Sequence, residues 1–293
     1  SFTVRNTDNT YNIRKGTYDL YSWGRTSALE WTYYGANNND ALYMYNGTGY
    51  LYANAEDVEL TFTNTVKANN TIVTMYPEYT DPSGQTEFSD WNLFANPFVC
   101  DAYVTLTAGE GNANMAYYRM NDAGDGFITA TGAIKPMEGF FVQATASSQS
   151  VIVKREQAAK SSQLNVNLRS NNKQLDNAIL VFGERQNLGK FSFRQGSSKV
   201  YMPVEGNDYA ALFTTEAMGA LPVNFKAENN GVYTLSFTNE EVTFSYLHLI
   251  DNMTGIETDL LANPSYSFDA KTTDYESRFK LVLHLNEEVY QTT

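Results

Sequence analysis

The sequence contains very little of the chemistry that many functional sites require. Among its 293 residues there is one cysteine, Cys100, and there are two histidines, His248 and His284. A single thiol excludes an intramolecular disulfide, a thiolate zinc cluster and a Cys-x-x-Cys redox pair. We therefore expect the protein to use no cofactor and no metal centre.

Positive charge is also scarce. Lys and Arg together number 20 against 33 Asp and Glu, which gives a formal net charge of −13. Because nucleic acid is bound mainly by clustered cations, this balance argues against a nucleic-acid partner. The longest apolar runs, such as residues 178–182, are far shorter than the roughly 18 residues of a membrane span, so we expect no membrane insertion.

Common catalytic motifs are missing as well. The sequence has no Gly-x-Ser-x-Gly elbow, no His-Glu-x-x-His helix and no Gly-x-x-x-x-Gly-Lys-Ser/Thr loop. It begins Ser1-Phe2-Thr3 without an initiator Met or a signal segment. We expect the chain to be a mature product or a piece of a longer protein.

What the chain does contain is a two-residue alternation of apolar and polar side chains. Aromatic residues make up 14% and charged residues only 18%, which is not the composition of a disordered chain. Alternate apolar positions occur in residues 57–63, in Leu164-x-Val166-x-Leu168 and in residues 233–237. This period predicts half-buried antiparallel strands whose intervening residues, such as Asn165, face water.

Turn signals separate these strands. They are Asn46-Gly47, Asp125-Gly126, Asn229-Asn230-Gly231 and the segment from Asn252 to Gly255. No segment has the apolar spacing and cap of a helix, and the best candidate, residues 156–162, lacks an apolar face. The sequence predicts an all-β fold of two consecutive antiparallel β-sandwiches, of the jelly-roll or immunoglobulin-like kind.

The longest polar stretch between patterned strands is residues 154–163. A boundary there divides the chain into an aromatic-rich domain, 1–158, and a second domain, 159–293, each large enough for one sandwich core.

Several closely spaced motifs are predicted to form scaffold. Asp251 and Asn252 can bond the backbone of a four-residue turn, and Gly255 can take the left-handed conformation that closes a hairpin. In residues 139–143, with the sequence GFFVQ, both strand faces carry apolar side chains, which is typical of a strand covered on both sides.

These motifs belong to a longer series. Residues 246–255 read YLHLIDNMTG and are followed by DLL at 259–261, PSYSF at 264–268 and DYESRFKLV at 274–282, with WNLFANPF at 91–98 and IKPMEGFFVQA at 134–144 as weaker companions. The series resembles a module near the C-terminal ends of large secreted and surface proteins of the Bacteroidetes, and the resemblance covers most of residues 160–285. The usual pattern has Gly-Asn-Pro where Ala95-Asn96-Pro97 stands here, which argues against a positive-φ backbone at Ala95.

The resemblance implies a non-catalytic β module of a secreted or cell-surface protein. In that family the module lies upstream of a C-terminal sorting domain of the type IX secretion kind. No such domain follows Leu285 in this sequence. We therefore expect the chain to be a fragment.

The titratable residues that attract attention have simpler interpretations. His248 and His284 fall in predicted strands, and His284 faces away from Leu281, Leu283 and Leu285, which is typical of a rim or solvent-facing imidazole. Asp122 and Asp125, in Asn121-Asp122-Ala123-Gly124-Asp125-Gly126, are weak candidates for a calcium loop. Ala123 stands where an oxygen ligand is needed, so a hairpin turn fits better.

A glycoside hydrolase would need only two carboxylates at a set separation. Candidate residues in the first domain are Glu30, Glu59, Glu78, Asp81, Glu87 and Asp90. In a chain of this charge, most acidic residues are expected on the solvated surface.

The most suggestive cluster is aromatic. Ten Tyr and Trp side chains lie close together in the first domain: Tyr18, Tyr21, Trp23, Trp31, Tyr33, Tyr34, Tyr43, Tyr45, Tyr50 and Tyr52. They can line the rims of a sandwich, with the ring buried and the hydroxyl in water, or they can stack on sugar rings. Trp23, Trp31, Tyr43 and Tyr45 are the candidates for carbohydrate contact, because Tyr43 and Tyr45 share the strand face opposite Leu42 and Met44.

Three functional hypotheses follow. The first is a non-catalytic module for adhesion, spacing or presentation, secreted or displayed at the cell surface, with glycans or host and surface proteins as partners. The second is a carbohydrate-binding module that uses the aromatic residues of the first domain, and the third is a glycan-active hydrolase. The oligomeric state is left open.

Overall fold

The computed structural model describes residues 2–4, 18–24, 31–34, 43–44, 46–57, 62–63, 72–79, 90–106, 115–147, 149–156, 160–192 and 196–286. Every regular element in these ranges is a β-strand, and none of their residues is helical. The predicted all-β class is confirmed. Of the alternating stretch at 57–63, residues 58–61 lie outside the described ranges.

Contacts divide the chain into two compact units. Unit 1 consists of residues 1–112 and 133–158, and unit 2 of residues 113–132 and 159–293. The sequence-based division into 1–158 and 159–293 assigns residues 113–132 to the first domain, whereas their contacts group them with unit 2.

The strands of unit 1 are short. They are β1 (Phe2–Val4), β2 (Tyr18–Trp23), β3 (Trp31–Tyr33), β4 (Tyr43–Met44), β5 (Tyr50–Asn54), β6 (Phe62–Thr63), β7 (Ile72–Met75), β8 (Trp91–Ala95), β9 (Ala102–Leu106), β12 (Ala133–Ile134), β13 (Gly139–Gln143) and β14 (Val151–Lys154). They form sheets of order β4-β1-β6, β3-β2-β5 and β12-β9-β14-β7, and β8 pairs antiparallel with β13.

Strand β13 is buried on both faces, as its sequence predicts. Phe140, Phe141 and Val142 are fully buried although successive side chains point in opposite directions. Nearby, the buried Asn96 amide donates to the carbonyls of Cys100, Ile134 and Lys135. Its Oδ1 accepts from the Phe98 amide, so this side chain fixes the chain between β8 and β9.

Unit 2 begins with a hairpin and continues with longer strands. The hairpin is β10 (Tyr117–Met120) and β11 (Phe127–Ala130). The others are β15 (Ser162–Ser170), β16 (Lys173–Phe182), β17 (Leu188–Gly189), β18 (Lys199–Val204), β19 (Asn207–Thr214), β20 (Met218–Lys226), β21 (Gly231–Glu240), β22 (Phe244–Asp251), β23 (Ile256–Asp259), β24 (Ser265–Ala270) and β25 (Phe279–Leu285).

These last strands form one large sheet that curls until it is nearly closed. Its order is β23-β22-β25-β20-β18-β19-β16-β15-β21-β24, with β17 paired to β19. Side chains from distant strands meet in one core, where the ring centroids of Phe268 in β24 and Phe279 in β25 are 4.8 Å apart. Burial of this shared apolar surface holds the sheet curved.

One strand pair departs from the predicted antiparallel arrangement. β16 pairs parallel to β19, with Ile179 opposite Ala211 and Phe182 opposite Thr214. A parallel pair needs a crossover of a dozen or more residues, which the segment 183–206 between the two strands supplies. The alternation of apolar and polar residues along a strand does not show whether its neighbour runs parallel or antiparallel to it.

The outer face of β15 and β16 is covered by the β10–β11 hairpin, which we call the hairpin arm. The predicted inward set Leu164, Val166 and Leu168 is buried as expected. Asn165, predicted to face water, is instead buried. The prediction is wrong for Asn165 because its side chain bonds to Gln163 and to Thr238 of β21, and the arm, remote in sequence, bonds to Gln163 on the same strand face.

Two predicted turns join hairpins as expected. Residues 121–126 connect β10 to β11, where the Asn121 amide donates to the Gly126 carbonyl at 2.8 Å. Residues 252–255 connect β22 to β23, and Gly255 has φ 72° in the left-handed region. Its amide donates to the Asp251 carbonyl at 2.7 Å, and this left-handed backbone is one that glycine adopts without steric cost.

Candidate functional site

The aromatic cluster of unit 1 is organised by the small sheet β3-β2-β5. The register pairs Trp23 with Trp31 and Tyr21 with Tyr33 across β2 and β3. Because alternate residues share a face, these four rings lie on one face of the sheet, which we call the aromatic face. The opposite face carries Tyr18 and Leu20, which are both buried.

The tryptophan end of the aromatic face is anchored. The Trp23 indole N–H donates to the Trp91 carbonyl at 2.7 Å. The rings of Trp23 and Trp31 meet edge to face with centroids 4.9 Å apart, and Trp23 packs in the same way on Phe141 at 5.1 Å. Edge-to-face packing on a fully buried ring holds the indoles in fixed orientations.

The tyrosine end is open to solvent. The centroids of Tyr21 and Tyr33 are 5.0 Å apart with an interplanar angle of 38°. Tyr33 is 51% exposed on the strand β3, which is hydrogen-bonded only to β2 in this sheet. Partial desolvation and the neighbouring Asp19 carboxylate raise the pKa of the Tyr33 hydroxyl. The face thus combines rigid aromatic rings with an accessible phenol.

The sequence identified part of this face. Trp23 and Trp31 are brought together as cross-strand neighbours, whereas the Tyr43 side chain and the whole of Tyr45 lie outside the described residues. Tyr21 and Tyr33 belong to the aromatic cluster of the sequence but are not among the four candidates for carbohydrate contact. The pattern Tyr21-x-Trp23 and Trp31-x-Tyr33 could have identified them, since alternation places all four on one side.

The hydrolase candidates are described only at Glu78 and Asp90. The side chain of the buried Asn92 bonds to the backbone of both residues. Its Nδ2 donates to the Glu78 and Asp90 carbonyls at 3.0 Å, and its Oδ1 accepts from the Glu78 backbone amide. These are backbone contacts that fix the approach to β8. Glu30, Glu59, Asp81 and Glu87 lie outside the described residues.

In unit 2, the motif behind the family resemblance converges on a buried ion pair. Arg278 Nη2 lies 2.9 Å from Asp251 Oδ2, and Arg278 Nε donates to Asp251 Oδ1 at 3.1 Å. Both residues are buried. The Tyr266 hydroxyl and the Met253 amide also donate to the Asp251 carboxylate, each at 3.0 Å.

The arginine is equally well held. Its Nη1 donates to the Asp269 carbonyl at 2.8 Å, and its guanidinium lies 4.5 Å from the centre of the Phe268 ring. Burial alone would raise the pKa of Asp251. The hydrogen bonds from Arg278, Met253 and Tyr266 outweigh that effect and hold the pKa below its usual value. These motif residues are therefore engaged in stabilising the fold.

Both histidines lie on the outer face of the large sheet. The His248 ring stacks on Tyr246 with centroids 4.0 Å apart, and His248 Nδ1 is 2.8 Å from Glu257 Oε1. The same oxygen accepts from the Tyr246 hydroxyl, and these two bonds hold the pKa of Glu257 below its usual value. His284 is opposite Tyr246 on β25 and alternates with buried leucines, as predicted.

The Asn121–Gly126 segment is a hairpin turn. Asn121 Nδ2 donates to Asp125 Oδ1 at 3.0 Å, and the Asp125 carboxylate also pairs with Lys173 of β16. Asp122 is largely exposed and pairs with Arg119. Lys173 and Asn121 lower the pKa of Asp125. The carboxylate of Asp125 in this turn is therefore paired with the ammonium group of Lys173.

No group of three or more His, Cys, Asp and Glu side chains within the described ranges is arranged to hold a metal ion. The same part of the chain contains no helix long and apolar enough to cross a membrane.

A second buried polar network was not foreseen from the sequence. Asn177 in β16 accepts from the Thr129 amide at 2.7 Å and donates to the Thr129 carbonyl at 2.9 Å, so its amide group imitates a strand backbone. Thr131 donates to Gln163 at 2.6 Å beside it. These bonds attach the hairpin arm to β15 and β16. Sequence patterns could not predict them, because Asn177 and Thr129 are 48 residues apart.

A buried Lys190–Asp176 ion pair lies in the same unit. The Lys190 ammonium is 2.6 Å from Asp176 Oδ2, which also accepts from the Val200 amide. Burial raises the pKa of Asp176 and lowers that of Lys190, against the attraction between the two charges. Nothing in the local sequence pairs these residues, which are 14 positions apart on different strands or loops of the unit.

Comparisons of the chain with protein-family models, with curated proteins and with solved structures found no match.

Proposed function

We propose that the protein is a non-catalytic β module that acts by contact, in adhesion, spacing or presentation, within a secreted or surface-displayed protein. Each unit would be a β-sandwich, of the kind implied by the resemblance to C-terminal modules of Bacteroidetes surface proteins. Their partners would be glycans or surface proteins.

One observation carries this proposal. The carboxylate of Asp251 and the guanidinium of Arg278, which belong to the motifs behind the resemblance, are buried against each other and further bonded to the Tyr266 hydroxyl and the Asp269 carbonyl. Groups held in this way are not available to attack or protonate a substrate. A motif of this kind specifies a stable presentation scaffold.

A panel of immobilised glycans and extracellular proteins tests the proposal. Purified protein should be retained on at least one surface and should release no product from it. The Arg278→Met variant should lose retention only where it has unfolded, as reported by far-ultraviolet circular dichroism. Product formation that co-purifies with the folded chain would overturn the proposal.

The aromatic face favours carbohydrate binding as a second candidate function. Aromatic rings offer flat apolar surfaces to the C–H faces of sugars, and the indoles of this face are already held rigid by Phe141 and the Trp91 carbonyl. Preorganised rings lose little conformational entropy when a ligand binds.

A glycan array with matched variants separates the two candidates. Binding that is lost in Tyr33→Ala and in Trp31→Ala but kept in Tyr76→Ala supports the aromatic face, because Tyr76 is a 73% exposed tyrosine of the same unit. Glycan binding that survives both of the first two variants would place the contact elsewhere. If no glycan of the array binds, the remaining candidate function is adhesion through contacts with proteins.

A further inference from the structure

Strands β2, β3 and β5 contain one acidic residue, and it lies on the aromatic face. Asp19 precedes Tyr21 by two residues on β2 and is therefore on the same side of the sheet. It is exposed, and the residue opposite it on β5 is the small, exposed Ala53. The Asp19 carboxylate is thus accessible to a ligand that covers the tyrosine end.

Asp19 also acts on the exposed phenol. Tyr33 stands opposite Tyr21, which makes it a diagonal neighbour of Asp19, and after desolvation the negative charge of Asp19 contributes to the raised pKa of the Tyr33 hydroxyl. An exposed carboxylate is a strong acceptor for hydroxyl donors, because charge-assisted hydrogen bonds are about twice as strong as neutral ones. Sugar hydroxyls are donors of this kind.

No cation balances this charge within the three strands. The sequences YDLYSW, WTY and YLYAN of β2, β3 and β5 contain no Lys or Arg, and the chain as a whole carries −13. An anionic sugar placed on these rings would therefore meet a like charge, and no residue of the three strands themselves offsets it.

From this placement we propose that the aromatic face selects neutral glycans and rejects anionic ones through the Asp19 carboxylate. The ligands are uncharged hexose or N-acetylhexosamine chains. Their rings stack on Tyr21, Trp31 and Tyr33 while a hydroxyl donates to Asp19. Sialylated, uronate-containing and sulfated chains bind more weakly than their neutral counterparts. This inference rests on the carbohydrate-binding function proposed above.

The test uses the full chain and pairs of glycans that differ only in charge, such as lacto-N-neotetraose and its sialylated form. Each neutral glycan that binds on an array is titrated together with its charged counterpart by calorimetry, at about 0.01 M and about 0.5 M salt. The variants are Asp19→Asn and the control Asp101→Asn, which removes an exposed carboxylate of the same unit.

We expect the wild type to prefer the neutral member of each pair. The ratio of neutral to anionic affinity should fall roughly three- to tenfold in Asp19→Asn at low salt, should stay unchanged in Asp101→Asn, and should shrink at high salt, where surface charges are screened. Equal binding of both members, or an unchanged ratio in Asp19→Asn, would overturn the selectivity while leaving carbohydrate binding intact. Absence of binding to every glycan would remove the carbohydrate function and this inference with it.

Discussion

The guanidinium of Arg278 and the carboxylate of Asp251 form a fully buried, two-pronged ion pair, with Nη2 2.9 Å from Oδ2 and Nε 3.1 Å from Oδ1. Asp251 ends β22 and Arg278 directly precedes the neighbouring strand β25. The pair joins the hairpin turn at 252–255 to the core, which gives a physical reason for the motif that contains both residues.

Removing the cation should destabilise unit 2 strongly. Arg278→Met leaves the Asp251 carboxylate buried without its partner, and breaking a buried pair in this way costs about 3–5 kcal/mol. The free energy of unfolding, measured by urea titration, should fall by that amount. The control Arg169→Met, on an exposed arginine of β15, should change it by less than about 0.5 kcal/mol. Equal midpoints for the two variants would contradict a stabilising role for the pair.

The Asp251–Arg278 pair also predicts that the contribution of Asp251 to the pH dependence of stability has opposite signs in the wild type and in Arg278→Met. In the wild type the folded-state pKa of Asp251 is lowered, so its contribution is present above the unfolded value of about 4 and is lost as the pH falls through the folded value. In Arg278→Met, burial should dominate and raise that pKa, so acidification should reduce the destabilisation. Urea midpoints of both proteins between about pH 3 and pH 7 measure the difference, and parallel curves would refute the assignment.

Asn177 should control the attachment of the hairpin arm. Asn177→Ala leaves the buried amide and carbonyl of Thr129 without their partner, at about 1–3 kcal/mol for each group. Hydrogen exchange at the Thr129 amide should accelerate, and proteases should cleave within residues 115–132. Asn167→Ala, at the position opposite Asn177 on β15, is the matched control. Unchanged exchange at Thr129 would show that other contacts hold the arm.

Lys190→Met should be destabilising at neutral pH and less so in acid. The variant leaves Asp176 buried and unpaired, and burial already raises the pKa of this carboxyl. A raised folded-state pKa contributes stability below the unfolded value of about 4 and loses it as the pH rises through the folded value. The double variant Lys190→Met/Asp176→Asn should recover part of the loss at pH 7. A larger loss at pH 5 than at pH 7 would contradict this account.

Local pattern predicted the fold class and two hairpin turns, because strand alternation and turn chemistry are properties of neighbouring residues. It placed Leu164 and Val166 inward and gave the 252–255 hairpin. It missed the burial of Asn165 and the parallel β16–β19 pair, since both depend on segments far away in the sequence. Local alternation cannot report what covers the second face of a strand.

The candidate site shows the same division. Trp23 and Trp31 were selected by residue type, and their pairing follows only from the register of β2 and β3. The sequence alone does not distinguish Asp19 from the other acidic residues of the chain. Its place beside the aromatic rings becomes known only from the strand pairing. Asp251 and Arg278, 27 residues apart, needed the pairing of β22 with β25.

The most direct test of the account measures retention and turnover together. Purified wild-type chain is passed over immobilised glycans and extracellular proteins, and each eluate is analysed for bound protein and for released product by mass spectrometry. The account predicts retention on at least one ligand with every ligand recovered chemically unchanged. Steady release of product in proportion to the amount of folded chain would contradict it.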